Sequence, residues 1–273
     1  MRLSTHRRHP LAGVVVLLLG LLAVGALYST LAPRSAQAVD ETDPQLVETG
    51  RQLFLVGCSS CHGKNAEGIT QTEGGQYGPS LIGVGAASVD FQVGTGRMPM
   101  AQNTQQAPKK PPVYDDEEVE ALAAYVASLA PGPAIPGPEY YDTSDVTEEE
   151  LVRGGEFFRT NCTACHNSVG AGGALGGGRY APALDGVEGV HIAEAMITGP
   201  QQMPVFSDET ISPEDKRNII AYLQEIQEQP NNGGLKLGGV GPVSEGGIAW
   251  IVGIGGLVLI VLWVTKHSVR VRK

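Results

Sequence analysis

The chain has 273 residues, enough for one or two ordinary domains, and its 37 Gly and 18 Pro point to small, loop-rich units joined by linkers rather than one large core. Arg2, Arg7, Arg8 and Arg34 precede residue 39, and Lys266, Arg270, Arg272 and Lys273 follow residue 247. The stretch between carries 11 Lys/Arg against all 29 Asp/Glu, a formal charge of −18. That charge excludes nucleic acid as a partner by repulsion, and it suits either a positively charged protein surface or plain solubility.

The first predicted element is apolar. Arg7 and Arg8 precede an uncharged run from Leu11 to Tyr28, and Ala36 and Ala38 follow in an A-x-A arrangement. Basic start, apolar middle and small-residue exit read as a signal peptide cleaved near Ala38. The run is long for a signal, so residues 1–38 also read as a retained N-terminal membrane anchor.

A repeat then sets the domain plan. At an offset of 104, LVETGRQLFLVGCSSCHG lies over ELVRGGEFFRTNCTACHN, so that Gly50 falls on Gly154, Phe54 on Phe158, and two C-x-x-C-H motifs coincide. Downstream, QYGPSLIGVG over RYAPALDGVE sets Pro79 against Pro182, and TGRMPM over TGPQQMPVF sets Met98 against Met203. Each copy closes on helical periodicity: Val119, Leu122, Tyr125, Val126 and Leu129 in the first, Ile219, Tyr222, Leu223 and Ile226 in the second. Thr147 with Glu150 predicts a capping box, and Ser212 before Pro213 a helix start. Where the first and last helices of each unit cross, Tyr125 and Tyr222 are expected over Gly50 and Gly154.

Each unit therefore reads helix, C-x-x-C-H, loop, Pro, short helix, Met, loop, helix, over residues 45–130 and 148–228. Residues 131–147 link them, with PGPAIPGPEYY as a stiff, extended connector. SVGAGGALGGG, residues 168–178, reads as an enlarged loop of the second unit. Residues 229–247 read as a flexible tether. The last element, residues 248–265, is an apolar helix about 27 Å long, close to the ~30 Å hydrocarbon core of a bilayer. Trp250 and Trp263 stand near its ends, and the basic tail 266–273 is cytoplasmic by the positive-inside rule, which puts the repeats outside.

All four cysteines, Cys58, Cys61, Cys162 and Cys165, belong to the two C-x-x-C-H motifs. That motif is the attachment signature of c-type haem. Two thiols three residues apart each add to one vinyl group, and the next residue, His62 or His166, lies under the iron. Zinc prefers its ligand pairs closer in sequence. A thioredoxin-like pair needs a βαβ setting, and a disulfide needs no histidine. Met98 and Met203 follow their histidines by 36 and 37 residues, each before a proline, and are the candidate sixth ligands. Such thioether ligation raises the reduction potential relative to two histidines. Met100 is a rival in the first unit and His191 in the second, although the repeat sets Ser88 opposite His191, which favours a helix-start or surface role for it. Pro79 and Pro182 are candidates to present a backbone carbonyl to the second nitrogen of each histidine; an ordinary turn role is the alternative.

The motif set C-x-x-C-H, "GPSL" or "APAL", and "MP" resembles the class I cytochrome c fold, twice, over roughly residues 45–130 and 148–228. The second copy departs from it at Ala181, where the turn glycine stands in the family. The expected fold class is mainly α: two tandem class I cytochrome c domains, a C-terminal transmembrane helix and an N-terminal apolar segment. The whole layout resembles the dihaem cytochrome cc subunit of actinobacterial cytochrome bc complexes, the menaquinol:cytochrome c oxidoreductases. That resemblance implies two covalent c-type haems and, as partners, a cytochrome b subunit, a Rieske iron–sulfur subunit, a terminal cytochrome c oxidase and the cell membrane. It implies electrons passing from the Rieske centre to the oxidase, with no substrate site on this chain. A dihaem peroxidase-like enzyme would need an open iron position, and both units offer His and Met. A dihaem subunit of another oxidase would be tethered chiefly through its N-terminus.

Overall fold

The computed structural model describes residues 10–31, 43–71, 75–102, 104–228 and 242–266. The chain divides into two compact units, residues 1–36 and 37–273. The first holds helix α1 (Pro10–Leu31), uncharged along its length.

In the second unit both repeats fold on one plan. The first repeat runs from α2 (Pro44–Gly57) into the single turn α3 (Ser59–His62) and the antiparallel hairpin β1 (Ile69–Gln71) and β2 (Gly75–Gly78). Then come α4 (Ala86–Val89), which passes into a π-turn (Asp90–Gly94), and α5 (Asp116–Leu129). The second repeat has α6 (Glu148–Asn161), α7 (Thr163–His166), the hairpin β3 (Gly173–Ala174) and β4 (Tyr180–Ala181), α8 (Gly189–Thr198) and α9 (Pro213–Glu228). The mainly α plan read from the repeat is the observed one.

Local chemistry starts these helices where the sequence says. Asp43 accepts from Gln45 N at 2.9 Å with Pro44 in the first turn. Thr147 and Glu150 close a capping box, as do Asp115 and Glu118. Ser212 Oγ accepts from Asp215 N at 3.1 Å.

The core of each domain lies where its first helix crosses its last. Phe54 in α2 packs on Tyr125 in α5 with ring centroids 5.2 Å apart, and Phe158 in α6 packs on Tyr222 in α9 at 5.8 Å. Gly50 lies directly against the Ala121 carbonyl and Gly154 against the Asn218 carbonyl, so a side chain at either position would overlap backbone. The expected tyrosine contacts divide. Tyr125 does flank Gly50, whereas Tyr222 covers Gly155, because α9 meets Gly154 with its own backbone at Asn218 and Ile219.

One further expectation changes, and another gains detail. The loop 168–178 is not enlarged. It forms the same hairpin as in the first repeat, and His166 to Pro182 spans 16 positions against 17 from His62 to Pro79. The proline-rich connector, expected to be stiff and extended, is in addition docked on both domains. The Pro133 carbonyl accepts from Ala87 N at 3.1 Å, and Ile135 packs on the first core. Tyr140 and Tyr141 pack on the second, and Tyr140 Oη donates to Asp208 Oδ2 at 2.7 Å. Prolines lack N–H donors but keep their carbonyls and apolar rings, so such a segment docks well on a neighbour that supplies donors.

Of the predicted tether, residues 229–241 lie outside the described residues, as does the tail 267–273; from Pro242 the chain is helical. Helix α10 (Pro242–Ala249), a π-turn (Trp250–Ile254) and α11 (Gly255–Lys266) run on continuously. Gly246–Lys266 is long and apolar enough to cross a membrane.

Candidate cofactor site

Each C-x-x-C-H motif occupies one helical turn. Cys61 N and His62 N both donate to Cys58 O, at 3.1 and 3.0 Å; Cys165 N and His166 N do the same to Cys162 O, at 3.1 and 2.9 Å. This turn gathers two thiols and an imidazole within one short stretch of each domain. The chain then reverses through Gly68 and Gly172, at φ +85° and +80°, a conformation L side chains rarely adopt. Their N–H groups donate to His62 O at 2.7 Å and His166 O at 2.9 Å.

The reversal brings each proline carbonyl to an imidazole. His62 Nδ1 lies 2.7 Å from Pro79 O, and His166 Nδ1 lies 3.0 Å from Pro182 O, the longer contact in the copy with Ala181 at the turn. A carbonyl only accepts, so Nδ1 carries the proton and the lone pair is on Nε2, the form that a metal takes. Burial, partly offset by the Pro182 contact, holds His166 below the ordinary histidine range. Burial keeps the ring neutral, and the carbonyl contact orients it.

The first thiol of each motif is disfavoured as a thiolate. Burial, and then the neighbouring Cys61, pushes the Cys58 thiol up to about 11; burial and Cys165 do the same to Cys162. A thiol raised in this way is a slow redox nucleophile. All four cysteines are free of disulfides. The donor set fits a haem held through thioethers.

Met98 packs with Cys58 on the first core, and Met203 packs with Cys162 on the second. Their backbones are tied down by Met98 N to Gln92 O at 2.8 Å and Met203 N to Pro200 O at 3.0 Å. In the second domain Cys162, Cys165, His166 and Met203 line a single cavity of about 340 Å³, walled largely by apolar side chains. Met100, the rival sulfur of the first domain, is half-buried.

The structure corrects the reading of His191. It does sit in the first turn of α8, but it is enclosed by the first domain rather than exposed. Its Nδ1 lies 2.8 Å from Glu194 Oε2 and 3.8 Å from Asp90 Oδ2, and its ring meets the edge of Phe91. The repeat comparison also missed the first-domain side chains Phe91, Thr95, Arg97, Gln106 and Lys109, which line the second domain's cavity. An internal repeat lays each copy on the other and is blind to residues that one copy lends to its neighbour. Gln106 shows the contact most plainly: its amide pairs with Tyr180 of β4 as a strand would, Nε2 to Tyr180 O at 2.7 Å and Tyr180 N to Oε1 at 3.0 Å.

Two helical domains, each with a thiol pair and a carbonyl-backed imidazole on one turn and a methionine on the same core, define a c-type cytochrome. The family model described as "Cytochrome c" matches residues 47–130, and that described as "Cytochrome C oxidase, cbb3-type, subunit III" matches residues 149–223. A "Cytochrome bc1 complex cytochrome c subunit" of Corynebacterium diphtheriae is 42% identical over 96% of this chain and 95% of its own length. The protein of that name in Mycobacterium tuberculosis is 44% identical over 98% and 95%. Over 47% of this chain and 40% of its own length, a "Cbb3-type cytochrome c oxidase subunit CcoP" of Helicobacter pylori is 29% identical. The chain belongs to the family of cytochrome bc1 complex cytochrome c subunits: it binds haem c and serves electron transfer.

Proposed function

We propose that the chain carries two covalent c-type haems and forms the membrane-anchored electron path from the Rieske centre of a quinol-oxidising cytochrome bc complex to a terminal cytochrome c oxidase. Cys58 and Cys61 would hold the first haem, Cys162 and Cys165 the second. His62 with Met98, and His166 with Met203, would be the axial ligands, and the carbonyls of Pro79 and Pro182 would fix the two imidazoles. The haems supply the one-electron chemistry. The polypeptide would hold them through these cysteines, histidines and methionines and would keep water from the cofactor edge by its apolar walls. Thioether ligation suits carriers at the high-potential end of a quinol-oxidising chain.

One observation carries this reading: both domains set an imidazole on a proline carbonyl at the end of a turn that also holds two cysteines free of disulfides. The order of the domains draws on the comparisons. The first domain matches a general cytochrome c model and the second a model of an oxidase subunit, so the first would accept electrons from the Rieske centre and the second would deliver them to the oxidase. The partners would be cytochrome b, the Rieske subunit and the oxidase. The helix Gly246–Lys266 would anchor the chain, haem domains outside and tail in the cytoplasm.

Gentle detergent purification tests all of this at once. Mass spectrometry should report a chain heavier by two haems, with cytochrome b, Rieske and oxidase chains beside it. Met98→Ala and Met203→Ala should each abolish half of the near-infrared sulfur-to-iron charge-transfer band with both haems retained, and Met100→Ala should leave the band intact. A colourless chain, or a band indifferent to Met98 and Met203, defeats the assignment.

A further inference from the structure

A haem is an apolar plate with two carboxylates, and a cavity that accepts it must supply cations or hydrogen-bond donors for those propionates. The second domain's cavity is lined by apolar groups such as Phe158, Ile192, Met196 and Leu223. Among the described residues lining it there is no Asp or Glu, and the Lys and Arg are two: Arg97 and Lys109. Both belong to the first domain. The stretch 39–247 carries a formal charge of −18, yet this cavity is lined by two cations and no carboxylate.

Arg97 is built into place. Its guanidinium stacks on the Phe91 ring, 4.5 Å from the centroid, and Nη1 donates to the buried Thr95 Oγ1 at 2.5 Å. Phe91 and Thr95 line the same cavity. A guanidinium carries five N–H donors, so one bond to Thr95 leaves a fork for a carboxylate. Backbone around it is held as well: Lys110 Nζ donates to Gly96 O at 2.5 Å and to Pro99 O at 2.7 Å. Arg97 also precedes Met98, the proposed iron ligand of the first domain, so a single peptide would join the two cofactor sites.

We propose that the second domain's haem is held in trans: Arg97 of the first domain, supported by Lys109, binds the propionate carboxylates of the haem attached to the second. This rests on the two-haem reading above and goes beyond it, since it makes the second site incomplete without the first domain. It also gives the first domain control over the second haem's potential. A fixed cation beside the cofactor favours the ferrous over the ferric state, because the electron adds a negative charge near a positive one.

The test is a spectroelectrochemical titration of the full-length protein in detergent, resolved into two waves. The second haem's wave is identified as the one that Met203→Ala displaces. Arg97→Gln should lower that wave by a tenfold change in the ferrous-to-ferric ratio, about 59 mV for one electron, with two haems still attached by mass. Arg97→Lys keeps the charge without the fork and should fall between the two. Arg179→Gln removes a cation of the second domain that does not line the cavity, and should leave the wave in place. The proposal is overturned if both Arg97 variants leave the wave unmoved, or if Arg179→Gln moves it equally. A parent protein that lacks the mass of a second haem would instead remove the two-haem reading, and the proposal with it.

Discussion

Glu194 is wholly buried, with Oε2 2.8 Å from His191 Nδ1 and the carboxylate of Asp90 facing it from the first domain. Burial first, and Asp90 second, raise its pKa to about 10. The unfolded value is about 4.3, so folding binds a proton between these limits and stability falls as pH rises through that window. His191 acts in the opposite sense at lower pH. Burial holds it below the usual histidine range against the pull of Asp90 and Glu188, with Lys109 and Arg97 adding to the lowering. Its neutral form is favoured in the fold, and stability drops as pH falls below about 6.5. Glu194→Gln keeps the shape without the titration. Thermal unfolding of the holoprotein across pH 7 to 10 should lose much of its downward slope in this variant, while the acid limb from His191 persists. An unchanged slope would refute the assignment of the buried proton to Glu194.

Helix crossings give the next test. Gly154 in α6 touches the Asn218 carbonyl of α9, and no side chain stands between them to yield. Gly154→Ala forces the two helices apart and should cost about 1–3 kcal/mol by overpacking. Gly176→Ala, in open space on the second hairpin, should cost far less. Denaturant midpoints of the two variants check this, and equal midpoints would contradict the crossing geometry. These crossings were legible in the sequence because Gly50 and Gly154, like Phe54 and Phe158, recur at one spacing in helices with clear periodicity. So were the motif turns and the caps at Thr147 and Ser212. The hairpins were not, because strands of two to four residues are too short for period-two alternation and are held by backbone pairing alone. The connector was legible only in part. Its proline content reports stiffness, whereas its docking depends on Ala87, Asp208 and two apolar cores far away in sequence. The shared cavity had no periodic trace, since Arg97 and Gln106 act across domains from irregular segments.

At the scale of the whole molecule, charge and apolarity are segregated along the chain. All 29 Asp/Glu lie between residues 39 and 247, and four Lys/Arg crowd the eight residues 266–273. The helix Gly246–Lys266 has 21 residues; at 1.5 Å each it spans about 30 Å, the thickness of a bilayer's hydrocarbon core. Lysine and arginine just beyond a span oppose its export, so the proposed topology puts the tail in the cytoplasm and the acidic domains outside. An epitope added after Lys273 should therefore be removed by protease in inverted membrane vesicles and protected in right-side-out vesicles, with the haem-stained domains showing the reverse pattern. Exchanging Lys266, Arg270, Arg272 and Lys273 for Gln should weaken that asymmetry and leave a fraction of the epitope accessible from both sides. Protection of the epitope in inverted vesicles would place the tail outside and reverse the orientation on which the electron path depends.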